Sequence, residues 1–126
     1  MPKNFIQTTS FMHVSLPEFD AAVAFFRDLL GFQEYIHVRD YAYLEREGCG
    51  IRIWGRENVA DAPRGRRNFR YYFDVRDVDA LYAELKPKLD AMPAGDVHGP
   101  ADKSYHQREL LILAPDGDLV CFGQRL

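Results

Sequence analysis

Residues 5–16 form an apolar, strand-like run, and the spacing changes at Pro17. Beyond it Ala22, Phe25, Phe26, Leu29 and Leu30 recur at helical spacing, and Gly31 is placed to stop the helix. Three short strand candidates follow at 32–38, 41–47 and 50–55. The dipeptides "RD" and "GC" separate them and suit tight hairpins. The segment 56–68, "RENVADAPRGRRN", is polar, carries Pro63 and Gly65, and reads as a linker loop. A strand is expected over 69–75 and a helix over 76–89, with Val78, Leu81, Tyr82, Leu85 and Leu89 on one face. Pro87 should end or kink that helix. A Gly- and Pro-rich stretch, "AMPAGDVHGPADKSYHQ", reads as a connection to a last hairpin turning at "LAPDGD".

The order strand–helix–strands occurs twice. "LPEFDA" aligns with "VRDVDA" at an offset of 59 residues, from Leu16 to Val75, which marks an internal duplication. Units this small cannot each bury a full core, so the two should pair into one α+β domain with sheets curling around a shared space. The length of 126 residues suits one domain, 1–126, with module one at about 5–56 and module two at about 68–125. At 47% hydrophobic and 28% charged the chain can build a core. A net charge of −3 excludes a general polyanion binder. No run is long enough to span a membrane, and "MPKNFIQTTSF" lacks a secretory signal. Cys49 and Cys121 make no CxxC pair, so reduced thiols in a cytoplasmic protein are expected.

Three segments carry a resemblance to a known family: "AFFRDLLGF", "FDVRDVDALYAEL" and "RELLILAPDGDLVCFG". In this order they resemble the vicinal oxygen chelate superfamily, which holds glyoxalase I, extradiol dioxygenases, fosfomycin resistance enzymes and bleomycin resistance proteins. The ending is similar to the bleomycin-resistance type. The resemblance implies two βαβββ modules, a homodimer, and cavities enclosed by curved sheets. Metal-using members carry ligands at four positions, which the family patterns place here at Phe11, Arg52, Arg70 and Cys121. Phe offers no donor, guanidiniums repel a cation, and one thiolate makes no site. No metal and no other cofactor is therefore expected.

Strand alternation says what would line the cavity instead. If Phe11 faces it, so does His13, while Met12 and Val14 turn to the core. The same rule aims Arg52 and Trp54 inward, then Arg70, Tyr72 and Asp74, and on the last strand Cys121. The expected ligand-binding set is Phe11, His13, Arg52, Trp54, Arg70, Tyr72 and Cys121. Alternatives stand beside it. Arg52 and Arg70 also suit internal bridges to Asp74 or Glu109, Trp54 suits packing or a dimer contact, and Cys121 suits a small buried strand residue. With no supporting constellation for His13 or Asp74 as a base, no catalytic residue is assigned.

The resemblance implies a non-catalytic protein that sequesters a drug-like or aromatic small molecule, as in antibiotic resistance, in a dimer-interface cavity. A metal-dependent lyase, isomerase or dioxygenase of the same superfamily is the alternative. Bleomycin-type drugs are cationic, and their binders are typically strongly acidic. The modest charge and the inward arginines point to a planar anion. No nucleic-acid or membrane partner is expected.

Overall fold

The computed structural model describes residues 3–58 and 64–126. Each half builds one four-stranded sheet with a helix on its apolar face. The first half runs β1 (Phe11–Ser15), α1 (Phe19–Ala24), β2 (Gln33–Val38), β3 (Tyr41–Arg46) and β4 (Cys49–Arg56). The second runs β5 (Arg70–Asp74), α2 (Val78–Leu89), β6 (Val97–Lys103), β7 (Gln107–Leu113) and β8 (Leu119–Arg125). The sheet orders, β1-β4-β3-β2 and β5-β8-β7-β6, repeat one topology, so the duplication seen in the sequence is a duplication of fold. In each sheet the first strand pairs in parallel with the last, and the other pairings are antiparallel.

Alternation assigns the faces as expected. Met12, Val14, Ile51 and Ile53 are buried on the helix side of the first sheet, as are Tyr71, Val120 and Phe122 on that of the second. Ala22, Phe26 and Leu30 are buried while Phe25 and Leu29 are half-buried, so the expected helix face is the core face. After Ala24 the helix widens into a π turn over Phe25–Leu29, where Leu30 donates to the Phe25 carbonyl at 3.2 Å. Gly31 ends it at φ +76°, a left-handed position suited to glycine. One cluster of buried side chains contains residues of both halves.

Four expectations are corrected. Within residues 5–16 only Phe11–Ser15 is strand; β1 pairs with β4 from Phe11 onward, which leaves Phe5 and Ile6 exposed. The turn between β3 and β4 is Glu47–Gly48 rather than "GC", and Cys49 opens β4. Pro87 does not end α2, which runs on to Leu89: Leu85 before it and Leu89 after it are both buried in the core. The Gly- and Pro-rich connection contains a strand, β6, whose pairing with β7 is interrupted by a bulge between His98 and Ala101. That bulge, around Gly99 and Pro100, hides the period-two pattern. Of the expected linker loop, residues 59–63, Pro63 among them, lie outside the described residues.

Candidate functional site

The face of each sheet opposite its helix carries the chemistry. On the first sheet β1 and β4 set Phe11 opposite Arg52 and His13 opposite Trp54. Ring centroids lie 6.2 Å apart for Phe11 and His13 and 5.3 Å apart for His13 and Trp54. The four residues expected from this half thus meet on one face. β3 adds Tyr41 opposite Trp54 and Tyr43 opposite Arg52. Arg52 Nε donates to Thr9 Oγ1 at 2.8 Å, a second N–H donates to the Tyr41 hydroxyl, and the guanidinium carbon sits 4.7 Å over the Tyr43 ring. Among the described residues no carboxylate pairs with Arg52, so its charge is positioned by hydroxyls and a π face without being neutralised. Arg56 extends the arrangement, 4.3 Å over the Trp54 ring and 3.1 Å from His13 Nδ1. Tyr41, Tyr43 and Arg56 were missed in the sequence, although alternation along "YAYLER" and "RIWGR" already places them on this face.

The second sheet is built differently. Arg70 and Tyr72 project from β5, and the register sets Tyr72 against Cys121 of β8. An Arg70 N–H lies 3.0 Å from Glu109 Oε1, and the Tyr105 hydroxyl donates to the same oxygen at 2.7 Å. The internal bridge considered from the sequence is therefore realised with Glu109, and Arg70 is not a free cation for a ligand. Hydrogen bonding to Tyr105, then the Glu109 charge, reinforce the protonated guanidinium against burial.

Cys121 has no exposed surface and packs with Leu111 and Leu119. It lies under the lining of this face, as the alternative reading of a small buried strand residue required. Burial, and after it the Glu109 charge, push its thiol up to about 12, so it is protonated and inert at neutral pH. Cys49 is exposed. A thiol reagent at neutral pH should titrate one of the two cysteines in the folded protein, Cys49, and the second only in denaturant. Two rapid equivalents in the native protein would contradict the packing around Cys121.

The donor set at the four family metal positions does not fit a divalent ion. Phe11 supplies no lone pair, Arg52 and Arg70 present only N–H donors, and Cys121 is a covered, protonated thiol.

A model of the Glyoxalase/Bleomycin resistance protein/Dioxygenase superfamily matches residues 10–122. The chain belongs to this superfamily. Among solved structures, a bleomycin-binding protein from bleomycin-producing Streptomyces verticillus, complexed with copper(II)-bleomycin, superposes with a TM-score of 0.72 at 26% identity over 97% of each chain. A bleomycin resistance determinant encoded on the transposon Tn5 gives 0.71 at 16% identity over 94% of this chain and 98% of that one. A lactoylglutathione lyase from Agrobacterium tumefaciens gives 0.67 at 18% identity over 98% of this chain and 96% of that one. No protein with a curated description matches. The superfamily thus spans binding proteins and enzymes on one scaffold, and the fold alone does not choose between them. The side chains on the open faces must.

Proposed function

We propose that this member of the glyoxalase/bleomycin resistance superfamily is a metal-independent small-molecule-binding protein. It holds a planar, anionic aromatic ligand against the open face of the first sheet, in a cavity completed by a second copy of the chain. The observation that carries this reading is Arg52, fixed by Thr9, Tyr41 and the Tyr43 ring without a carboxylate partner among the described residues, beside Trp54. Such a wall stacks a planar group and pairs with its charge. The second copy is argued from Phe11, Ile36, Val38 and Trp54, which are 46%, 44%, 54% and 38% exposed on one face. An apolar surface of this kind on a small protein marks a contact.

Calorimetry with benzoate in the presence of a chelator tests the reading, and light scattering tests the dimer. Benzoate should bind, and Arg52→Ala should weaken it about tenfold or more, the worth of one charge-assisted contact. A monomer at micromolar concentration would remove the shared cavity. A second reading rests on the bleomycin-binding neighbour at 26% identity, which makes a cationic glycopeptide the rival ligand. Tight binding of metal-free bleomycin that survives Arg52→Ala, with no response to benzoate, would decide for it.

A further inference from the structure

The open face of the second sheet contains an acceptor that its own fold leaves unused. Glu109 is only 1% exposed, and its Oε1 accepts from Arg70 at 3.0 Å and from Tyr105 at 2.7 Å, while the Tyr72 hydroxyl also stands against the carboxylate. Oε2 is buried with no hydrogen-bond partner among the described residues. A buried carboxylate oxygen left unpaired is costly, and folded proteins retain few of them without a reason.

The sheet around Glu109 adds no side-chain bulk of its own above it. Its register neighbours on the same face are Gly123 of β8 and Ala101 of β6, neither of which fills that space. The volume is occupied by side chains from outside β7. Tyr72 reaches across β8 so that its hydroxyl lies 1.8 Å from where a Cβ on Gly123 would stand, and it donates to Gln107 Oε1 at a loose 3.3 Å. Tyr105 arrives from the turn between β6 and β7. Both rings keep a large exposed surface. Tyr72 is 39% exposed and Tyr105 54%, so these side chains move more readily than the strands beneath them.

We propose that Glu109 Oε2 is the floor of a second subsite, covered by Tyr72 and Tyr105, that accepts a planar N–H donor group such as an amidine. The proposal rests on the reading that the open faces hold a small ligand, and it gives the two faces opposite chemistry. The first offers a cation to an anionic group, and the second offers an acceptor to a donor. A ligand group entering here displaces the Tyr72 ring edge, bonds Oε2, and leaves the Arg70–Glu109 pair on Oε1 intact.

Benzamidine is the probe, because it has the ring of benzoate with the opposite charge and hydrogen-bonding sense. Amide chemical-shift mapping of the wild-type protein with benzamidine should move Tyr72, Glu109, Cys121 and Gly123 saturably. Glu109→Gln keeps an oxygen for Arg70 and Tyr105 but turns the other position into a donor, and it should weaken benzamidine about tenfold or more. Shifts confined to Trp54 and its neighbours, no saturable shift at all, or a folded Glu109→Gln protein that binds benzamidine as tightly as wild type would each overturn the subsite. The wild-type mapping decides the matter even if the variant fails to fold. The benzoate titration stands apart: benzoate binding without benzamidine binding sinks this inference and leaves the first reading in place, and the reverse does the opposite.

Discussion

Arg70→Ala should lower the stability of the protein by about 1–3 kcal/mol, the cost of taking the cation from a buried carboxylate that keeps its Tyr105 hydrogen bond. The expected ligand-binding set puts Arg70 beside Arg52 as a cation for a planar anion. The structure reassigns it. Arg70 is 41% exposed, but the carboxylate it pairs with is fully buried. Removing a partner of a fully buried ion pair costs about 3–5 kcal/mol. The exposure of Arg70 admits water to one side of the pair, which is why the smaller range is expected. Arg52→Ala strands no carboxylate among the described residues, since its partners are the Thr9 and Tyr41 hydroxyls and the Tyr43 ring. Urea titrations of the two variants should therefore separate them, with a shifted midpoint for Arg70→Ala and a nearly unchanged one for Arg52→Ala. Equal midpoints for wild type and Arg70→Ala would mean that the Glu109 pair contributes nothing to the fold.

The contrast between these arginines shows what the sequence could and could not reveal. Alternation places both on open faces, because a strand's period of two is a local property that any apolar neighbour exposes. Whether a guanidinium is free or spent depends on a residue 39 positions away for Arg70 and 43 away for Arg52, and no local pattern carries that. The duplicated order of elements was legible for the same local reason, through "LPEFDA" and "VRDVDA". β6 was not, because the bulge between His98 and Ala101 breaks the alternation that announces a strand. Cys121 stands opposite Tyr72 in the register of β5 and β8, yet depth is not direction: Leu111 and Leu119 pack beside it, and Glu109 and Arg70 act on its thiol. Glu109 itself stands in the segment that carried the family resemblance, and nothing in that segment shows that one of its oxygens has no partner.

Phe32→Ala should destabilise both halves of the molecule together, by about 3–5 kcal/mol. Phe32 is buried at the junction of the modules, with its ring centroid 5.4 Å from Phe26 in the first half and 5.6 Å from Phe73 in the second. Phe73 in turn stacks on Phe122 at 5.6 Å, so a single ring links the α1 side to β5 and β8. The junction is also clamped from outside, where Arg46 meets both oxygens of Glu84 at 2.8 and 2.7 Å and donates to the Leu30 carbonyl at 2.8 Å. Phe26, Phe32 and Phe122 belong to one buried cluster with Phe73 packed against it, so losing Phe32 removes support from both modules at once. The molecule carries its own reporter for this. Trp54, its one tryptophan, lies on the first sheet, whereas far-ultraviolet circular dichroism follows both halves. In urea the two signals should change at the same midpoint in wild type and again, at a lower urea concentration, in Phe32→Ala. A variant in which Trp54 fluorescence is lost while much of the dichroism persists would show two modules that fold separately, and the shared core would then be a contact between domains.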